Sequence, residues 1–314
     1  MTKIAAGRLD HLAKELNPLG SLRRDEPLAR HTTFGIGGPA DLYFKATSSD
    51  ILTAAARAAR RAGVPHFVFG SGSNILVGDA GCRGLVIEND AKQIEGPTPD
   101  GHGQGCVRGE SGASFATTAR RLCRQGFWGL EWAVGIPGTL GGAVVYNAGA
   151  YGGCLADVLR EIDLLEPDDT RRVMAASELS LEYRGSVFTR GLLRDRTIVS
   201  VTFDVRKGDP AEIMAHVAKL DEKRIATQPR GRNAGSIFKN PPEHPAWWLI
   251  DQVGLRGARI GDAEISAKHA NFFSNVGQAK ACEIKQLMDL ANGLVRERFG
   301  IELHAEVALV GEGF

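Results

Sequence analysis

GIPGTLGGAVVYNAGAYGG, running from Gly135 to Gly153, carries seven glycines, Pro137 and Asn147 in nineteen residues. Glycine loses more backbone freedom on ordering than any other residue, so such a run is a poor helix or strand interior. It suits a backbone laid along a flat, polar-edged ligand, offering N–H groups and little side chain. A second cluster, GSGSN (Gly70 to Asn74), follows directly on the apolar run HFVF. That is where an α/β unit presents backbone N–H groups to a phosphate, although by itself the cluster reads equally as a tight turn. Ile75 stands at the third glycine position of GxGxxG, and GxxxxGK[ST] occurs nowhere. A dinucleotide Rossmann site and a P-loop kinase are therefore disfavoured. Of 39 glycines in 314 residues, 20 lie between Gly70 and Gly153, so the excess is local.

The uncharged stretch Trp132 to Ala156 is long enough to span a bilayer, but its glycines, Pro137, Thr139, Asn147 and two tyrosines argue against a spanning helix. The first residues, MTKIAAGRLDHLAKELNP, carry charges throughout and no apolar segment of signal-peptide length. With 38 Lys+Arg against 37 Asp+Glu, the net charge of +1 gives no electrostatic case for nucleic acid or an anionic membrane as partner. Five cysteines, Cys82, Cys106, Cys123, Cys154 and Cys282, are odd in number and widely spaced, without a CxxC pair. They signal neither a disulfide framework nor a zinc site, and the expectation is a cytoplasmic protein with no metal.

Around the two clusters the pattern is α/β. Leu9, Leu12, Ala13 and Leu16 have helical spacing. DLYFKA reads as a strand, ILTAAARAARRA as a helix capped by Ser48, Ser49 or Asp50, and HFVFG and GLVIE as further strands. A second unit starts near Ala91: GCVRGE is a strand, and SGASFATTARRLCRQG a helix opened by Ser111 and closed by Gly126. REIDLLEP and TIVSVTFDV are strands, followed by a charged helix with Pro210 at its start. The last segment holds AWWLIDQV, a long helix from about Gln278 to Arg298, and IELHAEVALV. Read as one strand, IELHAEVALV puts Ile301, Leu303, Ala305, Val307 and Leu309 on one face and His304 with Glu306 on the other.

HTTFGIGGPADLYF, FGSGSNILV, GIPGTLGG with NAGAYGG, YRGSVF, NAGSIFKNP, WLIDQ and LHAEV, in this order from about His31 to Val310, closely resemble the UDP-N-acetylenolpyruvoylglucosamine reductase (UDP-N-acetylmuramate dehydrogenase) family. The resemblance implies an α+β FAD-binding fold of the vanillyl-alcohol-oxidase (PCMH) type. Two α/β FAD-binding domains, residues 1–90 with 307–314 and residues 91–222, would be joined by an α/β substrate-binding domain at 223–306. It further implies non-covalent FAD, NADPH as co-substrate, and reduction of UDP-N-acetylglucosamine enolpyruvate to UDP-N-acetylmuramate for peptidoglycan synthesis. A monomer is expected.

Hydride arriving at an enol ether beside a carboxylate develops an aci-carboxylate dianion, which must be stabilised before the neighbouring carbon is protonated. The resemblance implies Arg184, in YRGS, as the carboxylate holder, a role its two parallel donors suit. It implies Glu306 as a hydrogen-bond donor, which demands a protonated carboxyl and hence a raised pKa. Ser236, in NAGSIFKNP, takes the position of the proton donor, with Lys239 as candidate neighbouring cation. Gly70, Ser71, Gly72, Ser73 and Asn74 are expected at the FAD pyrophosphate, and Pro137, Gly138, Thr139, Gly141, Asn147, Gly149, Ala150 and Tyr151 along the rest of the flavin. Ser111 and Gly112, at the expected helix start, would add anion contacts. Lys223, Arg224, Asn233, Lys239, Asn240 and Gln252 correspond to positions near the nucleotide-sugar. The short interval between Asn240 and Trp248 matches the shorter, second type of the family. Many relatives carry an acidic residue where Cys154 stands. No obvious covalent flavin motif occurs, and His31 and Cys154 are the residues left open for such a link. Alternative readings are another flavin oxidase of this fold, or a non-catalytic flavin or nucleotide-sugar sensor.

Overall fold

The computed structural model describes residues 4–99, 104–193 and 195–314, so only Met1 to Lys3 of the N-terminal stretch lie outside it. The first unit contains α1 (Ala6–Leu16), β1 (Leu22–Pro27), β2 (Pro39–Ala46), α2 (Ser49–Arg61), β3 (His66–Phe69), β4 (Ile75–Val77) and β5 (Cys82–Asn89). Its sheet runs β1-β2-β5-β3, with β5 parallel to both β2 and β3. Ser48 caps α2, its hydroxyl accepting from the Ile51 N–H. The buried face of α2 is mostly alanine (Ala55, Ala56, Ala58, Ala59), which lets the helix lie close against the sheet.

The second unit follows with β6 (Ile94–Pro99), β7 (Gln104–Glu110), α3 (Phe115–Arg124), β8 (Phe127–Trp128), α4 (Leu140–Val145), β9 (Gly149–Ala150), β10 (Gly153–Cys154), β11 (Leu159–Leu165), β12 (Arg171–Ala175), β13 (Thr197–Lys207) and α5 (Pro210–Thr227). Its antiparallel sheet runs β12-β11-β13-β7-β6, with β8 on β13. Ser111 is not the cap of α3. The helix starts three residues later, where the Ser114 hydroxyl accepts from Thr117. Ser111 is buried, donates to the Ile198 carbonyl and accepts from Asn89, so its hydroxyl is spent on joining the two sheets. The uncharged run is broken into the 3-10 turn Glu131–Ala133, the six-residue α4 and the β9–β10 hairpin. Among the described residues no helix is long and apolar enough to cross a membrane.

The third unit holds β14 (Arg232–Ser236), α6 (Ala246–Gln252), β15 (Arg259–Ile260), β16 (Ala263–Ile265), β17 (Phe272–Asn275) and α7 (Ala281–Phe299), and after it β18 (Ala308–Val310) returns to the first unit. The sheet β14-β17-β16-β15 packs on α6 and α7. The sequence boundary at 222/223 falls inside α5, which continues to Thr227. IELHAEVALV is not one strand. Only Ala308–Val310 pairs as β18, parallel to β4 of the first unit. Leu303 and Val307 are buried, whereas Ala305 and His304 are exposed and Leu309 is 40 % exposed. The cause is a break after the single bridge between Ala305 and Phe238, where the N–H groups of Glu306 and Val307 both turn to the Ile237 carbonyl. His304 and Glu306 therefore do not share a face.

Candidate active site

A cavity of about 740 Å³ opens where the three units meet. Its wall is built from the loop after β3, the segment Ile136 to Thr139 with α4, the end of α5, β14 and Glu306. Arg184, Ser236 and Glu306, far apart in sequence, all face it. Arg184 sits in the tight turn closed by reciprocal hydrogen bonds between Glu182 and Gly185, with φ +51°. A non-glycine residue in that region stores roughly 1–2 kcal/mol. Asn147 (φ +41°) and Tyr151 (φ +55°) are held in the same region within the glycine-rich run.

Two contacts fix the Arg184 side chain. Nη2 donates to the Gly149 carbonyl at 2.7 Å, and Nε lies 2.7 Å from Glu306 Oε1. The second contact is an ion pair out of line with the N–H, which leaves that buried proton without an aligned acceptor. Burial pushes the Glu306 carboxyl above its ordinary range, while the charges of Arg184 and Lys239 pull the other way. Glu306 is held in place through its backbone: its N–H donates to the Ile237 carbonyl at 2.7 Å, and its carbonyl accepts from Asn74 Nδ2 at 3.2 Å. Ser236 immediately precedes Ile237, so one strand segment carries the serine and anchors the glutamate. The Ser236 hydroxyl has no hydrogen-bond partner among the described residues. Lys239 is not on the wall; its backbone N–H is tied to the His304 carbonyl.

Of the residues expected along the cofactor, Gly70, Ser71, Gly72, Ser73, Asn74, Ser111, Pro137, Gly138, Thr139, Gly141, Gly149 and Ala150 line the cavity. Gly112, Asn147 and Tyr151 do not. A side chain on Gly112 would collide with the Asn89 carbonyl, so its backbone is packed against the first unit. Asn147 is buried and spends its amide on the Glu182 carbonyl and the Ala156 N–H, which shapes the glycine-rich loop from behind. The Tyr151 ring lies 5.5 Å from Lys223 Nζ, behind Arg224 rather than on the wall itself. At Gly70 a Cβ would meet Thr139 Oγ1 at 2.4 Å, so glycine is what lets the two glycine-rich loops touch.

The loops fit an anionic cofactor. Within the described residues no hydrogen bond engages the backbone N–H groups of Ser71, Gly72, Ser73, Gly138 or Thr139, and such donors in a concave site require an acceptor. A diphosphate-bearing cofactor such as FAD supplies that acceptor. Gly141 is different, because its N–H is already given to the Ser111 carbonyl. The two residues left open for a covalent link are otherwise engaged. Both ring nitrogens of His31 are within 3.0 Å of carboxylates, Glu88 and Glu26, and Cys154 is not on the wall.

Among the expected substrate positions, Arg224 and Asn233 line the cavity, whereas Lys223, Lys239, Asn240 and Gln252 do not. Asn240 accepts from the Ala246 N–H at the start of α6. The buried face of α6 is Ala246, Leu249 and Ile250, which leaves Gln252 exposed. Burial pulls the Arg224 guanidinium below its usual range, and neighbouring Tyr151 opposes that. Sequence reasoning missed Tyr146, Arg196, Gln228 and Arg230, all on the wall. Burial and then the Glu306 charge push the Tyr146 phenol up. Its position inside the glycine-rich run was the one available signal; the others lie outside every quoted motif.

The comparisons with known proteins agree with this geometry. A family model described as FAD binding domain matches residues 40–174. Another, described as UDP-N-acetylenolpyruvoylglucosamine reductase, C-terminal domain, matches residues 227–310. A protein named UDP-N-acetylenolpyruvoylglucosamine reductase from Synechococcus sp. (strain RCC307) is 40 % identical over 295 residues, covering 93 % of this chain and 94 % of the relative. One of the same name from Chloroflexus aggregans is 39 % identical over 305 residues, covering 95 % and 100 %. Among solved structures, the chain is similar to a UDP-N-acetylenolpyruvylglucosamine reductase from Thermus caldophilus, with TM-score 0.75 and 33 % identity, covering 93 % of this chain and 99 % of the other.

Proposed function

The chain belongs to the UDP-N-acetylenolpyruvoylglucosamine reductase family, and from that premise we propose the following division of labour for an FAD-dependent oxidoreductase that reduces UDP-N-acetylglucosamine enolpyruvate at the expense of NADPH. The observation that carries it is the shared cavity wall: Arg184, Ser236 and Glu306 meet there, on the same wall as backbone donors suited to a diphosphate. FAD, when bound, supplies the hydride that reaches the enolpyruvyl carbon.

Arg184 holds the substrate carboxylate. Its fork is already oriented by Gly149, and the dianion that develops gains more from this fixed charge than the ground state does. Glu306, protonated, donates a hydrogen bond to the same developing charge, in keeping with the raised direction of its pKa. As the substrate carboxylate arrives, it takes over the guanidinium that Glu306 faces in its absence, which further favours the protonated acid. Ser236 gives its hydroxyl proton to the carbon next to the carboxylate. Arg224 and Arg230 line the mouth with charges suited to the substrate diphosphate.

We read the flavin as held by residues 1–90 with the tail and by the unit that follows, and the UDP-sugar by the last unit, with the second boundary moved to the end of α5. The free, scattered cysteines and a nucleotide-sugar substrate support a cytoplasmic setting, and we take the protein to act as a monomer without nucleic acid or membrane.

Ser236→Ala tests the assignment. In stopped flow, flavin reduction by NADPH is expected to stay near the parent rate, while flavin reoxidation by the enolpyruvyl sugar slows by at least about a hundredfold. Equal loss in both half-reactions removes Ser236 from the proton-donor role. Rapid reoxidation by oxygen without the sugar would instead favour an oxidase.

A further inference from the structure

Asn233 was expected among the residues near the nucleotide-sugar, but its side chain is turned on its own backbone. Oδ1 accepts from the Gly235 N–H at 3.0 Å, and Nδ2 donates to the Gly231 carbonyl at 3.1 Å. The register explains what those bonds hold. Asn233 pairs with Ser274 and Ser236 with Phe272, so β14 advances three residues while β17 advances two. One extra residue makes a β-bulge. Gly235 occupies it at φ +78°, with no atom within 4 Å of where a Cβ would stand.

The bulge decides which way Ser236 faces. Ala234, which is buried and borders the cavity only at its edge, and Ile237 both belong to the apolar core behind the strand, three residues apart, a spacing that strict alternation forbids. Without the extra residue, Ser236 would fall on the same side as Ala234, and its hydroxyl would enter that core. With it, Ile237 takes the core position and Ser236 lines the cavity. The bulge also frees the Gly235 N–H from the ladder, and Asn233 Oδ1 is the acceptor that it finds. The carbonyl of Ile237, one residue beyond, receives the Glu306 N–H, so the same bulge sets the offset between serine and glutamate.

We infer that Asn233 is the positioning residue for Ser236, fixing the bulge that aims the hydroxyl into the site rather than contacting the UDP-sugar for affinity. The inference rests on the reading of Ser236 as proton donor. In the FAD-loaded enzyme, Asn233→Ala is expected to leave flavin reduction by NADPH unchanged. It should slow reoxidation at saturating enolpyruvyl sugar by on the order of a hundredfold, the cost of a misplacement of about 1 Å, with half-saturation unchanged. Asn233→Asp keeps the acceptor for Gly235 but loses the donor to the Gly231 carbonyl, and should restore part of the rate. The double variant with Ser236→Ala should be no slower than Ser236→Ala alone.

A second readout is independent of turnover. Amide exchange at Gly235 should be faster in Asn233→Ala than in the parent and protected again in Asn233→Asp. Should Asn233→Ala fail to fold, Gly235→Ala disturbs the bulge with Asn233 intact and should slow the same step. A raised half-saturation with an unchanged maximal rate overturns the inference in favour of a substrate contact. So does an additive double variant, or unchanged exchange at Gly235. If Ser236→Ala itself reoxidises at the parent rate, the proton-donor reading falls and the inference falls with it. That outcome is distinct from a slow Ser236→Ala combined with an additive double variant, which overturns the Asn233 role alone.

Discussion

Burial raises the Glu306 carboxyl above its ordinary value of 4.5, against the pull of Arg184 and Lys239. The folded state therefore holds this proton more tightly than the unfolded chain does. The stability linked to it is fully present below the unfolded pKa and is lost as pH rises through the folded one. Glu306→Gln is neutral at every pH and escapes that loss. The melting temperature of Glu306→Gln relative to the parent is thus expected to rise between about pH 4 and about pH 8. Thermal melts at the two ends check it, and a constant difference would show that the carboxyl is not perturbed in the folded state. LHAEV made Glu306 legible in the sequence, but not its partner. The Arg184 contact joins two turns from different units, and no periodicity encodes that. The strand pattern around Glu306 misled, because alternation assumes regular pairing and the backbone breaks after Ala305.

Helix α7 shows the same limit for a whole element. Its body follows from a 3.6-residue pattern closed by Gly300 at φ +69°, and the expected span of Gln278 to Arg298 nearly coincides with Ala281–Phe299. Its start is capped in part locally, by Glu283 accepting from the Lys280 N–H, and in part from far away. Asp79, in the loop after β4, accepts from the Ala281 N–H at 2.8 Å and from the Cys282 N–H at 3.1 Å, one carboxylate oxygen each. This cap comes from the first unit, some two hundred residues away in sequence, so a search for capping residues beside the helix could not find it. Ser111 is the mirror case, a capping residue type in a plausible place whose hydroxyl is spent elsewhere. Asp79→Ala leaves two N–H groups at the positive end of the helix dipole without their acceptor. The expected cost is about 1–2 kcal/mol, with Asp79→Asn retaining part of the stabilisation. Urea unfolding measures it; a loss below about 0.3 kcal/mol would mean that the cap contributes nothing across the two units.

At the scale of the molecule, residues 308–313 return to β4 and the loop after it, directly downstream of the Gly70–Asn74 cluster. β18 pairs in parallel with β4; the Ala308 N–H donates to the Asn74 carbonyl, and Asn74 reaches back to the Glu306 carbonyl. Beyond it, the Gly78, Asp79 and Ala80 N–H groups donate to Val310, Gly313 and Glu312. The Gly70–Asn74 loop is thus held from both sides, by β3 before it and by the tail after it. Motif order along the chain made the fold legible through its resemblance, yet a three-residue parallel pair has no sequence signature that names its partner. If the tail is the downstream anchor of that loop, removing residues 308–314 should weaken FAD binding beyond any loss of global stability. Half a dozen hydrogen bonds at a net value of about 0.5–1.5 kcal/mol each are at stake. Even a fraction of that transmitted to the loop weakens FAD at least about tenfold. Removal of Phe314 alone, which is 38 % exposed, is the control and should change nothing. Flavin titration of the apo-protein at a temperature well below both melting points separates the two effects. Parent-like FAD affinity in the shortened chain would mean that β3, the Thr33 N–H bonded to the Gly72 carbonyl and the contact with Thr139 suffice to hold the loop.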